Sequence, residues 1–120
     1  MIENPSRSLI WHTNSMKKLS ALPGAYDVVL SACEFGSKRD KQTRLRTNMP
    51  TLKALHRPCS GKHPARGHDG ALHASWRVSM SEGSWKFATA EECEYTPELC
   101  TAMAKAAAQA VSRDFTRTRR

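Results

Sequence analysis

Apolar and polar positions alternate along this chain in three rhythms, and each predicts a different element. Leu9, His12, Met16 and Leu19 return at steps of three and four residues, which places them on one helix face. Ser6 or Ser8 is available to cap that helix and Pro23-Gly24 stops it, so the opening reads as a turn followed by a helix. Residues 26–33 are short, apolar and β-branched, and they predict a buried strand. A polar connection over 34–42, centred on Gly36, leads to Thr43-Arg44-Leu45-Arg46-Thr47-Asn48, which alternates strictly. A period of two predicts a second strand with Thr43, Leu45 and Thr47 turned inward and Arg44 and Arg46 projecting together from the opposite side. Residues 26–48 then form a hairpin across a long loop.

From residue 50 to about 89 the rhythm weakens, and Gly, Pro, Ser and His are frequent. A short helical turn at 52–55 and strands at 76–80 and 85–88 are the elements predicted there. A stretch this irregular argues against an independent compact domain. The last element is the clearest: Thr96 suits an N-cap, Pro97 the first helical position, and Glu98 the positive end of the helix dipole. Leu99, Met103, Ala106, Ala110 and Val111 form its apolar stripe, and Arg113, Arg117, Arg119 and Arg120 favour its C-terminal end. The predicted class is α/β with a partial sheet. One incomplete domain spans 1–120, divided into a helix and hairpin over 1–50, a basic irregular segment over 51–89 and a C-terminal helix with a basic tail over 90–120.

Composition adds limits. A chain of 120 residues that is 39% hydrophobic and 7% aromatic supports a modest core with long polar connections. No run approaches the ~18 apolar residues of a membrane span, and the start is not a basic-then-apolar leader. The expectation is an intracellular protein, nuclear or cytoplasmic, that is neither secreted nor in a membrane. Its four cysteines, Cys33, Cys59, Cys93 and Cys100, then default to thiols, and none form a CxxC pair. The net charge of +8 sits wholly in residues 36–77, which hold ten Lys and Arg against Asp40 and Asp69; the remainder is neutral. Four of the five histidines (His56, His63, His68, His73) fall in the same segment. Clustered cations displace counterions from phosphates, so a polyanion is the natural partner, the alternative being a solvated basic loop.

Two motifs carry a resemblance. Glu3-Asn4-Pro5 resembles the Glu-Asn-Val/Pro motif of cytosine-5 DNA methyltransferases. Phe35-Gly36, four residues, then Lys41-Gln42-Thr43-Arg44-Leu45 is similar to a Phe-Gly-x4-Lys-x-Thr-x-Leu pattern in phage-type cytosine methylases. Gln42-x-Arg44-x-Arg46 echoes the Gln-x-Arg-x-Arg motif of the wider family. Cys59-x-Gly61-x-His63 and Tyr95-x-Pro97-x-Leu99-Cys100 resemble segments of methyltransferase-like sequences in retroelement polyproteins.

The resemblance implies the downstream half of a class I methyltransferase-like sheet, whose last hairpin faces DNA. It makes Glu3, with Asn4 and Pro5, the remnant of a base pocket, in which a carboxyl hydrogen-bonded to the cytosine ring favours nucleophilic attack. Gly36, Lys38, Arg39, Lys41, Thr43, Arg44 and Arg46 become the nucleic-acid-binding residues, with DNA the expected partner.

The same family needs a Gly-rich loop for S-adenosylmethionine and a Pro-Cys nucleophile upstream of the glutamate. Met1 stands two residues before Glu3, so both are expected from a complementary half. Pro58-Cys59 lies downstream, in the irregular basic segment. Methyl transfer by the isolated chain is therefore not expected.

Cys59 and His63 also have a workable spacing for zinc, with Cys33, His68, Cys93 or Cys100 as completing ligands. That gives an alternative reading, a zinc-stabilised interaction module; an unfolded remnant of a mobile element is a further one. Trp76, Trp85 and Phe87 either stack on unpaired bases or, as the more ordinary expectation, form the core of a small hairpin.

Overall fold

The computed structural model describes residues 1–61, 73–91 and 94–119. Its main feature is a three-stranded antiparallel sheet in the order β1-β3-β2, formed by β1 (Ile2–Pro5), β2 (Tyr26–Ser31) and β3 (Gln42–Thr47). The predicted hairpin is present: Val28 pairs with Leu45, Leu30 with Thr43 and Ser31 with Gln42. The strand β1 has no counterpart among the predicted elements, since four residues ending in proline carry too little pattern. Pro5 lacks a backbone donor, and its place at the end of an edge strand accommodates that. Because β1 and β2 both run antiparallel to β3, they are parallel to one another, and the chain crosses from one to the other through helical turns.

That crossover corrects the first predicted helix. It is split into a 3-10 turn, Leu9–His12, and α1, Asn14–Ser20. Thr13 divides them with an extended backbone: its hydroxyl donates to the Ile10 carbonyl (2.8 Å) and accepts from the Met16 amide (3.4 Å). One extended residue breaks the 100° phase on which a continuous face depends. Trp11, outside the predicted stripe, is the residue buried, while Leu9 is 82% exposed. Ser8 caps the 3-10 turn by accepting from the Ile10 amide, and Gly24, at φ +79°, makes the stop that Pro23-Gly24 predicts.

A 3-10 turn (Ala32–Phe35) follows β2 and is closed by Gly36 at φ +93°, a left-handed conformation suited to glycine. Another (Pro50–Leu55) follows β3 and contains the predicted turn. Two short strands, β4 (Ser79–Ser81) and β5 (Ser84–Lys86), pair around Glu82 and Gly83, both at positive φ, as a tight hairpin turn requires. They fall within and beside the predicted segments but are shorter. A brief helix α2 (Ala88–Glu91) precedes α3 (Pro97–Thr118). The Thr96 hydroxyl accepts from the Leu99 amide at 3.2 Å and donates to the Phe35 carbonyl, so the predicted cap also ties α3 to the loop after β2.

The core lies on one face of the sheet. Val28, Leu30 and Leu45 meet Phe35, Leu52, Leu55, Leu99 and Ala106, with Tyr26, Met49, Ala102 and Met103 at its edge. Thr51 donates to the Ala106 carbonyl at 2.6 Å and pins α3 across the Pro50–Leu55 turn. Alanine at 102 and 106 is what allows that approach, since a larger side chain would hold the helix off. Beyond Ala110 the stripe runs out into solvent, and Val111 is 70% exposed. On the opposite face Trp11 packs against Arg44 and Arg46, and Arg46 reaches the Met16 carbonyl of α1. The architecture is mixed α/β with small antiparallel sheets and a C-terminal helix. Among the described residues no helix is long and apolar enough to cross a membrane.

Candidate nucleic-acid interface and metal centre

Strand alternation decides where each motif residue goes. Antiparallel pairing sets Glu3 opposite Leu45, Asn4 opposite Arg44 and Pro5 opposite Thr43, so the two motifs are direct neighbours on adjacent strands. Thr43, Leu45 and Thr47 are buried on the core face, as predicted. Glu3 shares that face with Leu45, and its carboxylate lies towards the Tyr95 hydroxyl. Burial, and secondarily the Glu3 carboxylate, raises the Tyr95 hydroxyl above its ordinary pKa.

Arg44 and Arg46 do leave by the opposite face, but not into solvent. Arg46 is only 8% exposed. Its Nε and Nη2 donate to the two oxygens of Asp27 (2.7 and 2.9 Å), and its Nη1 donates to the Met16 carbonyl at 2.6 Å. Arg44 approaches the same carboxylate at 3.7 Å. Both guanidinium groups lie over the Trp11 ring, 5.4 and 4.9 Å from its centroid. Arg44 Nε is buried without a hydrogen bond, and the ring face and Asp27 are what meet its charge. The hydrogen bond from Arg46 chiefly, helped by the charges of both arginines and opposed by partial burial, holds the Asp27 carboxyl below the usual carboxylate range. The expectation of two outward arginines available to phosphate is corrected here. A cationic strand face inside a folded chain is neutralised by whatever acid packs against it, and nothing in the sequence pattern marks Asp27 on β2 as that acid.

The other expected binding residues divide. Arg39 is buried, with its Nε on the Ser75 carbonyl (2.8 Å) and its guanidinium 5.6 Å from the Trp76 ring centroid. Gly36 serves the turn and Thr43 the core. Lys38 is exposed and Lys41 half-buried. Lys41 lines an open groove of about 390 Å³ where the end of β1 meets the start of β3, together with Pro5, Ser6, Arg7, Asp40, Gln42 and Trp76. Arg7 and Asp40 have no part in the expected interface. Lone charges beside a turn carry no signal until the sheet brings them together. Trp85 (64% exposed) and Phe87 are exposed as well, as is Trp76, so these aromatics are not the core of the small hairpin that the sequence favours.

A second grouping lies at the loop after β2. Cys33, Cys59 and His73 place their ligand atoms within 4.8 Å of one another, close enough for one metal ion to reach all three. Cys59 Sγ is 3.5 Å from His73 Nε2. Cys33 Sγ is 3.8 Å from Asp40 Oδ1. Burial first, then the neighbouring Cys59 and the carboxylates of Asp40 and Glu34, push the Cys33 thiol up to about 12. Of the sequence-predicted ligands, Cys59 and the completing Cys33 belong to this group. Cys100 is an exposed thiol on α3. His63, His68 and Cys93 lie outside the described residues. His73, 14 residues beyond Cys59, has no spacing that could have marked it, and the fold alone supplies it.

No family model matches this chain, and neither does any curated protein or any solved structure.

Proposed function

We propose that this chain is a nucleic-acid-binding element, the downstream part of a cytosine-methyltransferase-like sheet, that meets DNA at the groove between β1 and β3. The groove carries the reading. It is formed where Pro5 of the Glu-Asn-Pro motif meets Lys41 and Gln42 of the Phe-Gly-x4-Lys-x-Thr-x-Leu motif, and Arg7, Lys41 and Trp76 line it. Two cations beside an exposed indole combine the two effects that bind nucleic acid without reading every base, phosphate neutralisation and stacking. Lys38 extends the positive surface on the exposed side of the same loop. Arg46, Arg39 and Asp27 are engaged within the fold and do not line the groove. A methyl-transfer reaction would need S-adenosylmethionine and a Pro-Cys nucleophile supplied by a complementary half.

Fluorescence anisotropy with labelled single-stranded and duplex DNA, repeated across salt concentrations, tests the reading. Arg7→Ala combined with Lys41→Ala should weaken binding and flatten the slope of log K against log salt by about 2, one for each phosphate no longer neutralised. Trp76→Ala should reduce single-strand affinity by roughly 1–3 kcal/mol. Unchanged affinity and slope in the double variant defeats the groove as the interface, and a preference for RNA over DNA of the same sequence redirects the partner.

A second reading, a metal-stabilised interaction module, is favoured by one observation, the convergence of Cys33, Cys59 and His73.

A further inference from the structure

We propose that Cys33, Cys59 and His73 form a zinc site that fastens the loop after β2 to the segment carrying Trp76. The proposal rests on the second reading above and gives it a ligand set and a metal. Tetrahedral zinc, with Zn–S near 2.3 Å and Zn–N near 2.0–2.1 Å, sets sulfur and nitrogen ligands roughly 3.5 Å apart and two sulfurs slightly farther. Cys59 Sγ and His73 Nε2 already stand at 3.5 Å. The remaining ligand atom lies within 4.8 Å of both, so closure needs about an ångström of side-chain movement.

Backbone hydrogen bonds hold the three ligand-bearing segments together before any metal arrives. The Cys59 amide donates to Ser31 Oγ (3.1 Å), the Ser31 amide to the Arg57 carbonyl (2.8 Å), and the Ala74 amide to the Lys38 carbonyl (2.8 Å). The Ser60 amide and hydroxyl both donate to Glu34 Oε1, at 2.8 and 2.9 Å. Cys33 follows β2 directly, and Cys59 and His73 stand on either side of residues 62–72 in the sequence.

The chemistry balances. Zinc takes two thiolates and one neutral imidazole and displaces one proton from each thiol, which leaves a site of zero net charge. Such a site is compatible with the burial of Cys33. Asp40 Oδ1, 3.8 Å from Cys33 Sγ, and the Glu34 carboxylate on the same turn as Cys33 add to the attraction for a divalent cation. Two soft sulfur donors with an imidazole select zinc over magnesium or calcium. Among the described residues, Asp40, whose Oδ1 is 3.8 Å from Cys33 Sγ, is the acidic side chain beside the fourth position, which otherwise falls to solvent.

The full chain, reduced with a phosphine and stripped of metal, is titrated with zinc against a chromogenic chelator and separately with cobalt(II). One equivalent should bind, with release of two protons near neutral pH. Cobalt should show thiolate charge-transfer bands together with the intense visible bands of a tetrahedral site. His73→Ala and Cys59→Ser should each weaken zinc binding by more than the roughly 10–100-fold that loss of an outer-shell partner costs. Cys100→Ser, at an exposed thiol outside the group, should leave affinity unchanged.

His73→Cys guards against loss of fold in the alanine variant: it should keep the metal and strengthen the charge-transfer band. Stoichiometric zinc that survives Cys59→Ser and His73→Ala overturns this ligand set and leaves a metal-stabilised module standing. Absence of zinc binding by the reduced wild-type chain overturns both.

Discussion

Asp27→Asn removes the charge that Arg46 and Arg44 share while keeping the shape of the side chain. In the wild type the carboxylate accepts two hydrogen bonds from Arg46 and attracts Arg44 at 3.7 Å. The side chain of Arg46 is 9% exposed and that of Asp27 30%, so the pair is largely but not wholly withdrawn from water. Breaking a fully buried pair from one side costs about 3–5 kcal/mol, because the remaining charge is left unpaired in a poor solvent. Water reaches Asp27, and the Met16 carbonyl still accepts from Arg46, so the expected loss is about 2–3 kcal/mol. For a chain of this size that corresponds to a fall in Tm of roughly 8–12 °C.

Thermal unfolding followed by circular dichroism measures it, with a double variant, Asp27→Asn with Arg46→Met, as the control. Removing the orphaned guanidinium should return part of the lost stability, so the two changes should be clearly non-additive. If Asp27→Asn melts within about 1 °C of wild type, a change too small for any buried-charge effect, the account of the β2–β3 outer face is wrong.

The same carboxylate sets the acid limb. Its folded pKa is depressed, so its contribution is fully present above the unfolded value, about 3.9, and is lost as pH falls through the lower folded value. Denaturant titrations from pH 6 downward should show stability falling below about pH 4 in the wild type and a flatter limb in Asp27→Asn. Thr96→Ala removes both the cap on Leu99 and the bond to the Phe35 carbonyl. It should cost about 1–2 kcal/mol in chemical denaturation, and Thr96→Ser should recover most of it.

Local signals make several elements legible in the sequence. The alternation around Leu45 predicts β3 and its buried face, because a period of two is a property of the strand itself. Thr96-Pro97-Glu98 predicts the start of α3, because capping is satisfied within four residues. Gly24 and Gly36 stand where the backbone turns left-handed, which glycine tolerates without strain. The positive charge of the central segment is equally plain.

What only the tertiary structure decided is which of those charges remain available and which side chains meet. β1 exists because β3 offers it an unpaired edge, and that pairing sets the Glu-Asn-Pro motif beside the Lys-x-Thr-x-Leu motif. Arg46 and Arg39 look like surface cations in the sequence, yet one closes on Asp27 and the other on the Ser75 carbonyl. Cys33, Cys59 and His73 meet across 40 residues of sequence with no spacing to announce them. Periodicity and capping are fixed by neighbours along the chain, whereas charge pairing and ligand convergence depend on segments joined only when the sheet closes.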